Sequence, residues 1–291
     1  MTKTLRILSG FHALADDYDG FLLDIWGVIH DGVALYDGVL PCLKEMKRLG
    51  KKIAFLSNAP RRAHFIAEQL AAFGISRDLY EAIITSGEVT HEMLADNASK
   101  GFEQFGQNCL QMGLGRYLTL LDGLPYDAVK NLEAADFILC AGPADFASTP
   151  ETWRHFLREA YERQLPFLCA NPDLNVMVGD SIVLCAGSIA QDYEALGGAV
   201  TYVGKPHALV YEAASKALAI DKTRLLAVGD SPLTDVRGAK DFGLDVVMIA
   251  GGLHSDHLLT ADRTQCDEKR ITAFFNEYQH TPNAIASHLK W

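Results

Sequence analysis

The chain alternates between short continuous apolar runs and stretches whose apolar residues recur every three or four positions. Phe21-Leu22-Leu23 runs directly into Asp24, and Gly27 turns the backbone soon after. A short apolar run bounded by turn residues reads as a buried strand. Val39, Leu40, Leu43, Met46 and Leu49 then follow at helical spacing, with Gly50 as the stop. Lys52 to Leu56 is a second strand, ending at Ser57-Asn58-Ala59-Pro60. Ala63, Ile66, Ala67, Leu70 and Phe73 mark the next helix, with Pro60 suited to its first turn and Gly74 to its end. Ala82 to Ile84 is a third strand, ending at Thr85-Ser86-Gly87-Glu88. Strand and helix alternating across short joints predict an α/β protein with a doubly wound parallel sheet.

Leu5 to Leu14, ahead of this run, is a short amphipathic opening. Beyond it the pattern changes: residues 101–131 are rich in Gly, Leu and Tyr and only weakly periodic. Phe137 to Cys140 and Pro166 to Ala170 read as strands, the second delivering Asn171-Pro172-Asp173, and Pro150 opens a helix between them. Residues 88–199 therefore read as a second α/β unit inserted into the first, leaving 1–87 and 200–291 as one discontinuous domain. Thr201-Tyr202-Val203 leads back into that domain through Gly204-Lys205-Pro206 and a helix over 208–219. Leu225 to Val228 is a strand ending at Gly229-Asp230, with Asp235 shortly after, and Asp245 to Ala250 is another. From Gly251 the chain is polar, with short helical patches at 271–278 and 285–291.

With 291 residues the chain has material for two ordinary domains. A formal charge of −11 argues against non-specific nucleic-acid binding and against attraction to an anionic membrane. An anion can still bind where local amides, a lysine or a metal ion reverse the field. The 6 cysteines are scattered without CxxC pairs, mostly in apolar runs, and read as buried reduced thiols. No basic-then-apolar leader opens the chain, and no apolar run has membrane-spanning length, so a cytoplasmic protein is expected.

Four strand ends or following turns carry small polar or charged groups: Asp24, Ser57-Asn58, Lys205, and Asp230 with Asp235. In a parallel sheet such ends converge on one edge. Each has a plainer reading, as a turn residue, a helix cap or a surface charge. Together they describe phosphoryl transfer. Asp24 attacks phosphorus and forms an aspartyl-phosphate. Asp24 and Asp230 offer Mg²⁺ the carboxylates it takes beside waters and phosphate oxygens. Asp235 holds the water shell or orients Lys205, whose charge offsets carboxylate and phosphate. Ser57 and Asn58 donate to equatorial phosphate oxygens.

Asp24-x-Trp26-Gly27-Val28, Ser57-Asn58, Gly204-Lys205-Pro206 and Gly229-Asp230-x4-Asp235 resemble motifs I to IV of the haloacid dehalogenase (HAD) superfamily. The insert between motifs II and III resembles the C2 cap of subclass IIA, which includes nucleotide, p-nitrophenyl and pyridoxal phosphatases. Thr85-Ser86-Gly87-Glu88 and Asn171-Pro172-Asp173 resemble that subclass as well. The likeness runs from about Asp19 to Gly252. It implies a HAD-type core with an inserted α/β C2 cap, and a Mg²⁺-dependent phosphatase of a small phosphorylated metabolite. It also implies Asp24, the backbone carbonyl of Trp26, Asp230 and Asp235 around the metal, with Asn171 and Asp173 bordering the substrate. A cap-mediated homodimer is a family-level implication.

The usual motif I is Asp-x-Asp, and here the second Asp is Trp26. In the resembling phosphatases that carboxylate protonates the leaving group and later activates water, a contribution of about 10²–10⁴-fold. A chain lacking it should favour good leaving groups over simple alkyl phosphates. Three readings follow. A phosphatase could draw its acid/base from elsewhere, with His30 as candidate and a packed loop histidine as its plainer role. A dehalogenase-like hydrolase needs no proton donor, but also no Mg²⁺. A catalytically silent protein would only bind a phosphorylated ligand.

Overall fold

The computed structural model describes residues 5–145, 147–178 and 181–291, so residues 1–4 of the expected first segment lie outside it. In chain order the strands are β1 (Arg6–Leu8), β2 (Gly20–Leu23), β3 (Lys52–Ser57), β4 (Ala82–Thr85), β5 (Asn108–Met112), β6 (Asp127–Val129) and β7 (Phe137–Cys140). They continue with β8 (Phe167–Cys169), β9 (Asn175–Val178), β10 (Ser181–Leu184), β11 (Val200–Tyr202), β12 (Leu225–Gly229), β13 (Asp245–Ile249) and β14 (Ala284–Ala286). The chain forms two compact units: Met1–Ser57, Ile66–Ile84 and Val210–Trp291 make the first, Asn58–Phe65 and Thr85–Leu209 the second.

The first unit carries a seven-stranded sheet in the order β1-β14-β13-β12-β2-β3-β4. Its neighbours from β1 through β3 pair in parallel. β2 and β12 are buried along their whole length and β3 everywhere but at Lys52. Uninterrupted apolar sequence is what a parallel strand covered on both faces requires. Leu23 lies opposite both Val228 and Phe55. Asp24, Asp230 and Ser57 therefore leave three adjacent strands at the same end. The predicted helix after β2 spans Val39–Arg48 and buries Val39, Cys42, Leu43 and Met46, one apolar stripe at helical spacing.

Three expectations are corrected here. The opening is not one amphipathic element but β1 followed by a 3₁₀ turn over Phe11–Leu14. Pro60 precedes, rather than begins, the helix Ala63–Ala72. The patch at 285–291 is no helix: Ala284, Ile285 and Ala286 are buried consecutively in β14, between β1 and β13. Consecutive burial suits a strand inside a sheet, whereas a helix buries every third or fourth residue. Next to β14, the Phe11 N–H donates to the Lys290 carbonyl at 2.8 Å.

The second unit holds a five-stranded parallel sheet, β11-β8-β7-β5-β6, and the antiparallel pair β9/β10. Trp153, Leu157 and Ala160 of the helix Pro150–Glu162 share a core with Phe167, Ile189 and Tyr193. The Trp153 indole N–H donates to Asp192 Oδ2 at 2.7 Å. β5 and β6 occupy the weakly periodic stretch. Val200–Tyr202, expected to lead back into the first domain, instead hydrogen-bonds in parallel to β8 as the edge of this second sheet. Among the described residues no helix is long and apolar enough to cross a membrane.

Ile285 is fully buried in the last strand. Ile285→Ala should cost about 2–5 kcal/mol of folding free energy, read from the shift of a urea denaturation curve.

Candidate active site

Asp24 is anchored at the end of β2, where its N–H donates to the Val228 carbonyl at 2.8 Å. Carboxylate oxygens of Asp24, Asp230 and Asp235 lie within 4.8 Å of one another, and all three residues are buried. Asp230 Oδ2 accepts the Leu253 N–H at 2.7 Å, and Asp235 Oδ2 accepts the Ser231 N–H at 3.2 Å. The Tyr211 hydroxyl reaches the Thr234 and Asp235 carbonyls at 3.4 Å each, bracing the π-helical turn Pro232–Val236. Two glycines let the backbone close on this group. Gly27 has φ +82°, and a Cβ there would stand 1.9 Å from Asp230 Oδ2. A Cβ on Gly252 would stand 2.1 Å from the same oxygen. An all-oxygen carboxylate set of this spacing fits a hard divalent cation such as Mg²⁺.

The second unit gathers another cluster. Asn58 Nδ2 donates to Asp173 Oδ1 at 2.8 Å and to the Lys205 carbonyl at 3.0 Å, while its Oδ1 accepts the Lys205 N–H at 2.7 Å. Both side-chain amide hydrogens are thus engaged within the protein. The expected donation from this side chain to phosphate gives way to a positioning role: Asn58 grips the main chain of the buried Lys205 from both sides. Asn171 Oδ1 accepts the Asp173 N–H at 3.0 Å, and the Asp173 carbonyl accepts the Gly187 N–H at 3.1 Å. Asn171 and Asp173 accordingly build a braced turn that holds Asn58. Ser86 Oγ donates to the Asn58 carbonyl at 2.7 Å, and the Glu88 carboxylate accepts from Nε and Nη2 of Arg62 at 3.0 Å each. The Thr85-Ser86-Gly87-Glu88 motif is a clamp on the loop that begins at Asn58. Ser57, the residue before it, ends β3 and is buried.

Trp26 is 43% exposed, with its ring edge-on to His30 at 5.5 Å between centroids. His30 is buried, its Nδ1 accepts the Gly32 N–H at 2.9 Å, and its ring lies 4.9 Å from Phe73. Burial pulls its pKa below the ordinary 6.5, against a smaller opposing pull from Asp31. The imidazole is therefore neutral at pH 7, with the proton on Nε2, which has no hydrogen-bond partner among the described residues. The ring is thus packed between Trp26 and Phe73, with only Nε2 left to exchange a proton. Burial also pushes the Cys42, Cys140 and Cys185 thiols up to about 12, which removes them as nucleophiles at neutral pH. Leu253, Gly252 and Tyr211 escaped the sequence reading. They act through a backbone amide, an absent side chain and a contact distant in sequence.

A doubly wound sheet with an acidic triad at adjacent strand ends, interrupted in sequence by a second α/β unit, defines a hydrolase of the HAD type. Residues 21–124 match the haloacid dehalogenase-like hydrolase family and residues 202–290 a HAD-hydrolase-like family. A solved haloacid dehalogenase-like hydrolase from Brucella suis 1330 is 34% identical, with a TM-score of 0.81 over 97% of this chain and 99% of that one. The sugar-phosphatase AraL of Bacillus subtilis is 26% identical over 80% of this chain and 83% of its own length. The ribonucleotide monophosphatase NagD of Escherichia coli is 24% identical over 80% and 88%. The chain belongs to the haloacid dehalogenase-like hydrolases, and its relatives are of the subclass IIA type.

Gly252→Ala should displace the Asp230 carboxylate and reduce the rise in melting temperature produced by added Mg²⁺. Gly115→Ala, where an added Cβ would meet nothing within 4 Å, should leave that rise unchanged. Burial also lowers the pKa of His254 and His288, with smaller contributions from His257 and Lys290 respectively. The native state then favours neutral imidazoles, and the unfolded chain takes up protons first. Their contribution to stability is complete above about pH 6.5 and is lost as pH falls through the lowered native values. His30→Gln should flatten this acid-side slope, measured by denaturant titration at a series of pH values.

Proposed function

We propose that the chain is a Mg²⁺-dependent phosphatase of a small phosphorylated metabolite, working through an aspartyl-phosphate on Asp24. The observation that carries this reading is the buried triad of Asp24, Asp230 and Asp235 at one end of the parallel sheet. Relatives named as a sugar-phosphatase and a ribonucleotide monophosphatase support phosphate esters as the substrate class. Retention of the complete triad weighs against dehalogenase chemistry, which needs no divalent ion.

Asp24, Asp230 and Asp235 would hold the ion, with the Trp26 backbone carbonyl as a further oxygen donor. When bound, it supplies positive charge against the phosphate oxygens. The Asp24 carboxylate forms a bond to phosphorus as the ester oxygen departs with its electron pair. Water then cleaves the acyl phosphate, restoring Asp24 and releasing inorganic phosphate. Lys205 offsets the negative charge, Ser57 donates its hydroxyl to a phosphate oxygen, and Asn58 fixes the Lys205 main chain. The seven-stranded sheet of the first unit would carry the catalytic core, and the five-stranded sheet of the second, with Val200–Tyr202 at its edge, the C2-type cap that selects the leaving group. Six free cysteines, five of them buried, suit a reducing cytoplasm.

A panel of phosphate esters assayed with and without Mg²⁺ tests the reading. Phosphate release should require Mg²⁺, stop on chelation and be abolished by Asp24→Asn. Ligand-induced thermal stabilisation without any turnover would replace the enzyme with a phospho-ligand-binding protein.

A further inference from the structure

We infer that a cleft on the first unit, lined by Pro232, Leu233, Arg237, Tyr278, Gln279 and His280, is a binding site for a small aromatic carboxylate, and that its occupation is felt at Asp235. The site is distinct from the phosphate-ester chemistry proposed above, and its ligand is an effector, not a substrate.

The cleft encloses about 210 Å³. A cavity of about 150 Å³ already accommodates a benzene ring, so the space suits a ring bearing one further small group. One wall is the π-helical turn Pro232–Val236 with the start of the helix Arg237–Phe242. The other is the segment Tyr278-Gln279-His280, which follows the helix Glu268–Phe275. Pro232, Leu233 and Tyr278 offer apolar and aromatic surface; Tyr278 is held against the Phe274 ring at 4.9 Å, and Leu233 is 56% exposed. Arg237 and His280 bring nitrogens, and both reach one carboxylate. Arg237 Nε lies 3.5 Å from Asp241 Oδ2, and His280 Nε2 lies 3.1 Å from Asp241 Oδ1. Arg237 and Asp241 are both exposed, and a surface pair of this length holds a guanidinium only weakly. The planar fork of Arg237 is therefore open to a second carboxylate. Asp241 also sets the ligand's charge. A singly charged carboxylate is tolerated beside it, whereas a phosphate ester near two negative charges meets about twice the repulsion. A ring against the apolar wall and one carboxylate on the guanidinium is the combination that this lining admits.

The link to the triad is the turn itself. Leu233 lines the cleft and Asp235 belongs to the triad, and both stand on the same π-helical turn. The Val236 N–H closes that turn on the Ser231 carbonyl at 3.0 Å, so the residues between them form one hydrogen-bonded ring. A ligand that packs on Leu233 better in one setting of the turn than in another biases where Asp235 stands. The effect is reciprocal: a cation held by the triad changes the ligand's affinity by the same factor.

Calorimetry on the full-length protein with phenylacetate, its neutral isostere phenylacetamide, and acetate tests the site. Phenylacetate should bind with a Kd on the order of millimolar. Phenylacetamide should bind more weakly by about tenfold or more, and acetate, which lacks the ring, should lose about as much. Arg237→Gln should weaken phenylacetate by about tenfold or more, and Tyr278→Ala by about two- to tenfold. The coupling is read as the calorimetric affinity for Mg²⁺, which should change by at least about fivefold when phenylacetate is saturating. Absence of saturable phenylacetate binding, or equal binding of phenylacetamide, overturns the site. Binding that survives both substitutions puts the ligand elsewhere and overturns it too. An unmoved Mg²⁺ affinity overturns the coupling alone. Failure of Mg²⁺ to bind at all overturns the metal reading of the triad and the coupling with it, while the comparison of the three ligands decides the site by itself.

Discussion

Three carboxylates held within 4.8 Å of one another, away from water, repel one another strongly. Each loses hydration that a surface Asp would keep, and a buried charge is tolerated only when its lone pairs and its field are answered. Part of the answer is local: the Leu253 amide serves Asp230 and the Ser231 amide serves Asp235. Amide dipoles satisfy lone pairs but carry no net charge, so holding three carboxylates this close demands positive charge nearby, of the kind a divalent cation would supply. The first unit can be understood as the scaffold for that demand. Parallel strands bring the carboxylates to one edge, and Gly27 and Gly252 keep the approach clear of side chains.

The second unit solves a different problem, the placement of one loop. Asn58, the turn Asn171-Pro172-Asp173, and the segment Gly204-Lys205 interlock through hydrogen bonds at 2.7–3.0 Å that join residues far apart in sequence. Gly204 takes part by omission, since a Cβ there would press on Pro172 and Asn58. An amide side chain with both hydrogens engaged has a defined orientation, and the lysine main chain it holds is defined in turn. Preorganisation of this kind matters where charge must meet charge, because reorganising dipoles during a reaction adds to the barrier.

How much of this was legible in the sequence depended on burial. β2, β3 and β12 are covered on both faces, so their apolar runs announced them, and the charged residues at their ends followed. β5 and β6 are partly exposed and carry polar residues such as Asn108, Gln111 and Asp127, which left no clean period. β11 looked like a lead-in to Lys205 because nothing in three residues tells which sheet will accept them. Ile285 reads as helical in the sequence because a short apolar patch carries no period of its own. The site was legible as residue types and not as partners. Asn58 has the donors a phosphate wants, but which acceptors capture them is settled by Asp173 and Lys205, far along the chain. His30 could be named as an acid from its chemistry, while the Gly32 amide and Phe73 that confine it are visible only in three dimensions.

The pairing of β1 with β14 has a consequence for biosynthesis. Arg6 sits opposite Ala284, so β1 waits for a partner that is made long after it. Contacts spanning so much of a chain close slowly, and until they do β13 presents an unpaired edge to whatever is nearby. The second unit needs only residues up to Leu209 and can be complete while the first is still missing three strands. For this protein, a chain terminated in that interval would carry a finished second unit attached to an open, adhesive sheet.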